Sequence, residues 1–439
     1  MNHNLQSKLV EKKYLLTFIL ITSLFALWGF ANDITNPMVA AFQTVMELSA
    51  AKASLVQFAF YGGYATMAIP AALFAKRFSY KKGILLGLIL YAIGAFMFIP
   101  AANRQEFGFF CVSLYVLTFG LAFLETTANP YILSLGSKET STRRLNLAQA
   151  FNPIGSLMGM FVASRIVLAK LQSDTPEVRE IGFSNLDEMT KLSIREHDLD
   201  IIRNPYVVLG CVVLFVFVII AIFVKNQNHD NKEVANNKGT LKRLFSNKVY
   251  REGVLTQFFY VAAQIMVWTF IIQYGTRVFM GQGMTEQAAE VLSQRYNIVA
   301  MAVFCCSRFI CTYFLKYVRP AKLLGIFAVA ACTFTVGVVA IQGVVGMYCL
   351  VGISMCMSLM FPTIYGIALD GLGEDAKFGA AGLIMAILGG SVLPPLQARI
   401  IDCGSVAGFP AVNLSFVLPL ICFIIIAIYA RRTFRRSAV

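Results

Sequence analysis

Long apolar runs constrain the fold of this chain more than any other feature. An α-helix of about 20 residues crosses a hydrocarbon core of roughly 30 Å. Because a chain in lipid must pair its own backbone N–H and C=O groups, each run is predicted to form a helix. We count twelve runs, at residues 14–45, 53–75, 83–101, 107–136, 145–169, 205–224, 252–279, 290–316, 320–342, 344–369, 378–402 and 409–430. The predicted fold class is an all-α integral membrane protein.

Composition supports this class, and the positions of the charges indicate the topology. Of the 439 residues, 58% are hydrophobic and 14% are charged, whereas soluble domains have about 25% charged residues. The net charge of +14 would suggest nucleic acid in a soluble chain. Here, however, most lysines and arginines lie in the amino terminus, the even-to-odd loops and the carboxyl tail. Such an excess marks the cytoplasmic face, so we expect both termini inside and no nucleic-acid partner.

The amino terminus and the metal-binding residue types narrow the class further. The first apolar run is too long for a signal-peptide core and is predicted to be retained. Most of the ten cysteines lie in apolar runs without CxxC pairs, and the three histidines lie in the tail or in loops. Buried cysteine behaves as a small apolar residue. We therefore expect no metal, no cofactor and no enzymatic activity, because a membrane-embedded transferase would need a His or Asp constellation at the interface.

The two halves of the sequence resemble each other. The only two tryptophans occupy matching places, Trp28 in "LWGF" of the first run and Trp268 in "VWTF" of the seventh. The basic turn "AKRFSYKKG" after the second run matches "LKYVRPAKLLG" after the eighth. We predict two pseudo-symmetric six-helix bundles, residues 1–225 and 249–439, joined by a cytoplasmic linker at 226–248. Parallel repeats of this kind place a substrate site between the halves, near the bilayer midplane.

Two carboxylates lie deep inside apolar runs, Asp33 in the first and Glu125 in the fourth. A charge at the bilayer centre costs roughly 2.5–3.5 kcal/mol on insertion scales, so it normally faces a partner or an aqueous cavity. No basic residue lies near Glu125 in sequence. Both carboxylates are therefore candidate proton-coupling residues.

Amides and aromatic residues recur at helical spacing beside these acids. Carboxylates and amides bind sugar hydroxyls, and an aromatic face covers the apolar face of a sugar ring. Such residues can instead link helices, at about 0.6–2 kcal/mol per bond. The candidate substrate-binding residues are Asn32, Asn36, Gln57, Tyr61, Tyr64, Asn129, Gln149, Asn152, Gln257, Tyr260, Gln264, Trp268 and Tyr365.

A third group of charged residues is predicted to have gating or structural roles. Lys76 and Arg77 belong to the basic turn after the second run, and Asp370 follows the tenth. Arg308 lies inside the eighth run, where we expect it to pair with a carboxylate of a loop or helix end.

The motifs of this chain resemble those of the fucose–proton symporter family of the major facilitator superfamily. The matching stretches include "LFALWGFAND", "LETTANPY", "RLNLAQAFNPIG", "TQFFYVAAQIMVWTFIIQY" and "FPTIYGIALDGLGEDAKFGAAGLIMAILGG". The resemblance covers essentially the whole chain and implies proton-driven import of L-fucose or a related hexose by alternating access. It implies that Glu125 exchanges the proton and that Gln149 and Asn152 touch the sugar. It also implies a bacterial inner (plasma) membrane protein that functions as a monomer in the lipid bilayer.

The first run departs from the family pattern. The family reads Asn-x-x-Asp there, whereas this chain reads Asp33-Ile-Thr-Asn36. The acid and the amide have thus exchanged positions. Two positions three residues apart on a helix differ by about 4.5 Å of rise and roughly 60° of rotation, so Asp33 is within reach of the cavity that the family's acid would face. Whether Asp33 replaces the family's acid is left open by the sequence.

Other functions are compatible with part of the pattern. A facilitative sugar uniporter shares every feature except obligatory proton movement, and a symporter for galactose or glucose differs only in cavity geometry. An exporter of the same fold would have a less amide-rich lining. A sensor would usually carry a soluble signalling domain.

Overall fold

Helices make up nearly all of the described chain, as the apolar runs predict. The computed structural model describes residues 8–48, 52, 55–224, 239–406 and 408–436, without the side chains of residues 36–41, 43, 57, 179, 374 and 406. Within these residues, twelve helical segments are long and apolar enough to cross a membrane. The predicted fold class is confirmed.

We number the spans in chain order. The first six are Leu15–Val45, Leu55–Arg77, Tyr80–Phe96 continued by Phe98–Arg104, Phe107–Ser134, Ser141–Gln149 continued by Asn152–Val162, and Glu188–Phe223. The last six are Lys248–Met280, Glu286–Phe314, Pro320–Ala340, Val344–Met357 continued by Met360–Leu369, Ala376–Met385 continued by Gly389–Val392 and Pro394–Asp402, and Ala411–Ser415 continued by Val417–Arg436. Short helices Pro176–Ile181 and Thr240–Ser246 lie between spans, and strands Ser405–Val406 and Phe409–Pro410 pair antiparallel.

Short polar side chains begin several spans. Ser79, Asp187, Asn247 and Thr285 each precede a helix and accept a hydrogen bond from the backbone N–H three residues later. Each such cap satisfies one of the unpaired donors at a helix start and contributes about 1 kcal/mol. The helix starts are therefore encoded locally.

The sixth span is longer than its apolar run. The sixth apolar run starts at residue 205, but the helix begins at Glu188. The fully buried carboxylate of Asp198 accepts hydrogen bonds from the backbone N–H groups of Gln172 and Ser173, at 2.8 and 2.9 Å. Charged residues in this extension lower its hydropathy, so hydropathy alone misses the helical turns that these contacts stabilise.

Glycines allow the third and fourth spans to pack closely. A Cβ atom at Gly94 would overlap the backbone of Leu117, and one at Gly120 would overlap the backbone of Tyr91. Small residues at such contacts let helices approach and gain van der Waals packing, which drives helix association where lipid removes the hydrophobic effect. The fourth span, which carries Glu125, is held in register by these contacts.

The described chain forms two compact units. One, called here the N-half unit, contains Leu15–Tyr131 and Ile154–Glu233; the other, the C-half unit, contains Met1–Tyr14, Ile132–Pro153 and Val234–Val439. The C-half unit thus includes the end of the fourth span and the first part of the fifth. The predicted division into 1–225, 226–248 and 249–439 remains a prediction, and residues 226–238 of its linker lie outside the described residues.

Candidate functional site

Glu125 lies in the interior of the N-half unit. Glu125 is 8% exposed, and the hydroxyl of Tyr64 in the second span donates a hydrogen bond to its Oε1 at 3.0 Å. Asn129, one turn later, donates from Nδ2 to the backbone oxygen of Glu125 at 2.9 Å. Among the described residues, none of the ion pairs involves Glu125. The buried carboxyl therefore has a hydroxyl partner that tolerates either protonation state.

Asp33 lies in the same unit and is half-buried. Ser156, Asn32 and Tyr61 lie close enough to its carboxylate to interact with it electrostatically, and the Ser156 hydroxyl donates to the backbone oxygen of Gly29 at 3.5 Å. Gly155, beside Ser156, touches the backbone of the first span so closely that a Cβ would overlap it. The glycine therefore lets the fifth span bring Ser156 against the first span, where its hydroxyl reaches the backbone of Gly29. The side chains of the predicted residues Asn36 and Gln57 lie outside the described residues.

The seventh span carries the predicted amide and aromatic stripe in the C-half unit. The Tyr260 hydroxyl donates to the backbone oxygen of Met357 at 3.1 Å, and Trp268 Nε1 donates to Ser354 Oγ at 3.3 Å. Gln264 is half-buried. Gln257 is fully buried, and its amide atoms have no hydrogen-bond partner among the described residues. A buried amide without a partner costs free energy, so Gln257 is a site where a ligand or water would be favoured.

The helix of the fifth span is interrupted at Ala150 and Phe151, between its two helical parts. Gln149 just before this break is buried, and Asn152 just after it is half-buried. Asn146 donates from Nδ2 to Thr363 Oγ1 of the tenth span at 3.2 Å. The amides of the fifth span therefore lie at an irregular turn, where side chains can point away from the helix stripe.

Tyr365 and the charged residues have different surroundings. Tyr365 is buried and its ring stacks on Phe361 with centroids 6.3 Å apart. Lys76 is half-buried, whereas Arg77 and Asp370 are exposed. The gating roles of these three charged residues remain predictions.

Arg308 is buried, but its partners differ from those expected. Among the described residues, none of the ion pairs involves Arg308. Its Nη1 donates to the backbone oxygen of Gln149 at 3.0 Å and its Nε donates to the backbone oxygen of Ser358. The guanidinium also lies over the ring of Phe304, 4.5 Å from its centroid. Backbone carbonyls carry partial negative charge, so they stabilise the cation without a full counter-charge.

Sequence reasoning missed Arg144, which the charge pattern places with the cytoplasmic lysines and arginines of the even-to-odd loops. The side chain is fully buried. Nε donates to the backbone oxygen of Ile132 at 2.9 Å, and Nη1 donates to Leu9 O at 3.1 Å and Thr140 Oγ1 at 2.9 Å. Ile132 lies in the last turn of the fourth span, whose carbonyls have no partner within the helix. No local signal separates this arginine from Lys138, which is exposed, or from Arg143, which is half-buried.

The twelve candidate membrane spans and the family matches define the class of the protein, a multi-pass membrane transporter rather than an enzyme. The chain matches the Major Facilitator Superfamily over residues 16–395 and belongs to it, within the fucose–proton symporter family that its motifs resemble. Among the described residues, no group of His, Cys, Asp and Glu is arranged to hold a metal ion.

Three relatives span nearly the whole chain. The L-fucose-proton symporter of Haemophilus influenzae is 58% identical over 98% of this chain and 99% of its own length. The L-fucose-proton symporter of Escherichia coli K12 is 33% identical over 96% of this chain and 94% of its own. A glucose/galactose transporter of Brucella abortus is 30% identical over 95% and 94%.

Solved structures have the same fold. The crystal structure of the transporter FucP in the outward conformation superimposes with a TM-score of 0.85 at 31% identity, covering 96% of this chain and 99% of FucP. A bacterial homologue of the lysosomal transporter Spinster has a TM-score of 0.59 at 15% identity over 97% and 98%. The second likeness concerns the fold alone.

Proposed function

We propose that this protein imports L-fucose or a related hexose together with protons, by alternating access in a bacterial inner membrane. The relatives named for L-fucose-proton symport include the one that is 58% identical, whereas a glucose/galactose transporter is 30% identical. Both termini would lie in the cytoplasm, and the functional form would be a monomer in lipid. The two bundles would be residues 1–225 and 249–439.

One observation supports the coupling role best: the buried Glu125 carboxyl has Tyr64 as its hydroxyl partner. An ionised Glu125 accepts a hydrogen bond from the Tyr64 hydroxyl. A protonated Glu125 can instead donate a hydrogen bond to the oxygen of that hydroxyl. Both states are therefore satisfied without a basic residue holding the acid permanently charged. The proton would be taken up on the outer side and released on the inner side.

Asp33 would be the second proton-coupling residue. Its neighbours Ser156 and Asn32 are neutral polar groups, and none of the ion pairs of the described residues involves this carboxylate. Asp33 would thereby fill the role that the family pattern gives to an acid three residues later.

Sugar would bind through amides and an aromatic ring. Gln149, Asn152, Gln257 and Gln264 offer donors and acceptors for hydroxyl groups, and Trp268 offers a ring face. The unpartnered amide of Gln257 would gain two hydrogen bonds from a hydroxyl or water. Each such bond contributes about 0.5–1.5 kcal/mol net.

The experiment is sugar transport in proteoliposomes with Glu125→Gln. We expect this variant to lose accumulation against a sugar gradient but to retain counterflow of labelled L-fucose, because exchange needs no net proton movement. Glu106→Gln is the matched control, since Glu106 is an exposed carboxylate just before the same helix. Undiminished accumulation by Glu125→Gln would remove the coupling role.

A second measurement separates symport from facilitated diffusion. Wild-type vesicles in weak buffer should show external alkalinisation when L-fucose is added. Competition binding of L-fucose against D-arabinose, L-galactose, D-galactose and D-glucose measures which sugar the protein prefers. Sugar flux without alkalinisation would identify a uniporter, and preference for glucose or galactose would reassign the sugar.

A further inference from the structure

Two prolines each leave a backbone carbonyl without its helical donor in the C-half unit. In a helix the carbonyl of one residue accepts from the N–H four residues later, and proline has no N–H. Pro153 follows Gln149 by four positions, and Pro362 follows Ser358 by four positions. The carbonyls of Gln149 and Ser358 therefore need donors from elsewhere, because a buried backbone carbonyl without a partner is costly.

Arg308 supplies donors to both of these carbonyls. Its Nη1 donates to Gln149 O at 3.0 Å and its Nε donates to Ser358 O. Arg308 is 3% exposed, and it is separated from Gln149 by 159 positions in the sequence. The guanidinium thus connects the interruption of the fifth span to that of the tenth.

The chemistry requires arginine at this position. The guanidinium presents several N–H donors in one rigid plane, whereas lysine has a single flexible ammonium group. Two carbonyls on two different helices are satisfied together by the Nε and Nη1 groups of one plane. The ring of Phe304, 4.5 Å from the guanidinium carbon, holds that plane from one face.

The same face of the fifth span has further contacts to the C-half helices. Arg143 Nε donates to Thr312 O at 3.3 Å, and Asn146 Nδ2 donates to Thr363 Oγ1 at 3.2 Å. These contacts orient the helix before the break. Arg308 acts at the break itself, on the carbonyl of the residue whose side chain is proposed to bind sugar.

We propose that Arg308 is a positioning residue for sugar binding, which acts by holding the backbone of Gln149 and so orienting the side chains of Gln149 and Asn152. The inference rests on the proposed function, in which these two amides contact the sugar. Arg308 itself does not touch the sugar in this account. Its effect is on the geometry of the amides and therefore on sugar affinity.

The test measures L-fucose affinity and transport kinetics of Arg308→Lys. We expect the Kd and KM to rise about tenfold, the effect of losing one hydrogen bond to a charged donor, while kcat changes less than about threefold. Arg143→Lys is the matched control, because it removes another guanidinium-to-carbonyl bond of the same helix face away from the break. We expect its Kd to remain that of the wild type.

Pro153→Ala provides an independent arm. The substitution gives position 153 an N–H that competes with Arg308 for the Gln149 carbonyl, so we expect weaker sugar binding. The double variant Arg308→Lys with Pro153→Ala should bind sugar no more weakly than whichever single variant binds it more weakly, since both substitutions act on the Gln149 carbonyl. Multiplicative effects, or a wild-type Kd for a folded Arg308→Lys protein, would overturn the proposal.

The outcomes separate the two proposals. If the wild type itself binds no L-fucose or related hexose, the proposed function is wrong. If the wild type binds and Arg308→Lys binds equally, only the positioning role is wrong. If Arg308→Lys does not fold, Pro153→Ala alone decides: a Kd raised about fivefold or more supports the proposal, and an unchanged Kd contradicts it.

Discussion

The hydroxyl of Tyr64 and the carboxylate of Glu125 form a hydrogen bond of 3.0 Å inside the N-half unit. The two residues are 61 positions apart, on the second and fourth spans. This bond gives the buried acid a neutral partner. A neutral partner stabilises the carboxylate at a depth where an unpartnered charge would cost several kcal/mol.

We expect Tyr64→Phe to slow proton-driven sugar uptake about tenfold. A hydrogen bond to a charged group contributes about 1.5–3 kcal/mol, and the ionised form of Glu125 loses this donor, so proton release becomes harder. Initial rates under an imposed pH gradient test this. Tyr115→Phe is the control, because its hydroxyl bonds Thr66 on an exposed surface. Equal rates for Tyr64→Phe and the wild type would show that this bond has no role in coupling.

We expect Asp33→Asn to abolish sugar accumulation against a gradient, because the substitution removes the proposed second proton site. The double variant Asp33→Asn with Asn36→Asp restores the family order of amide and acid. The acid moves about 4.5 Å along the same helix, so accumulation should recover to at least about half. Steady-state accumulation in proteoliposomes is the measurement. If Asp33→Asn accumulates sugar like the wild type, Glu125 carries coupling alone.

Gly94→Ala should destabilise the protein by about 1–3 kcal/mol, the usual cost of overpacking a close contact. The added methyl group would meet the backbone of Leu117, which cannot move without shifting the fourth span. Thermal unfolding of the purified protein in detergent gives the change in midpoint. Gly108→Ala in the fourth span is the control, since no atom lies within 4 Å of its added Cβ. Equal shifts for the two variants would contradict the packing argument.

The start of the sixth span should depend on pH through Asp187. The backbone N–H and hydroxyl of Thr190 hydrogen-bond to the carboxylate and hold the pKa of Asp187 below its usual range. Because folding lowers this pKa, the stabilisation is present above the unfolded value, about 3.9. It is lost as the pH falls through the folded value.

Hydrogen exchange of the first amides of that helix measures the effect. Asp187→Ala should lower their protection at pH 7, and the difference from the wild type should shrink as the pH approaches 3. Asp187→Asn keeps a neutral cap and should show little change with pH. A difference between Asp187→Ala and the wild type that is as large at pH 3 as at pH 7 would exclude the carboxylate as its cause.

Much of the fold could be predicted because lipid restricts the backbone so strongly. The apolar runs predicted twelve helices, and the described structure contains twelve candidate spans. The sixth span is an instructive difference, because its helix begins at Glu188 rather than at 205. Hydropathy reports which residues can contact lipid, and the polar part of a helix that continues beyond the lipid gives no such signal.

The candidate site was predictable only as a set of residue types. An acid at depth is a local feature, so Glu125 could be chosen from its own span. Its partner Tyr64 was grouped with possible sugar ligands, because spacing along one helix cannot reveal a contact with another. The charge pattern places Arg144 with the surface cations and predicts a carboxylate partner for Arg308, whereas both guanidinium groups are buried and donate to backbone oxygens.

By itself, the sequence determined the class, the number of spans, the family and the buried acids, since each depends on local hydropathy, charge or motif. Only the tertiary structure decided which donors meet which acceptors: Tyr64 with Glu125, Arg144 with the end of the fourth span, and Arg308 with two carbonyls left by prolines. The physical reason is that a buried polar group must be satisfied by whatever the packing of distant helices brings within about 3 Å.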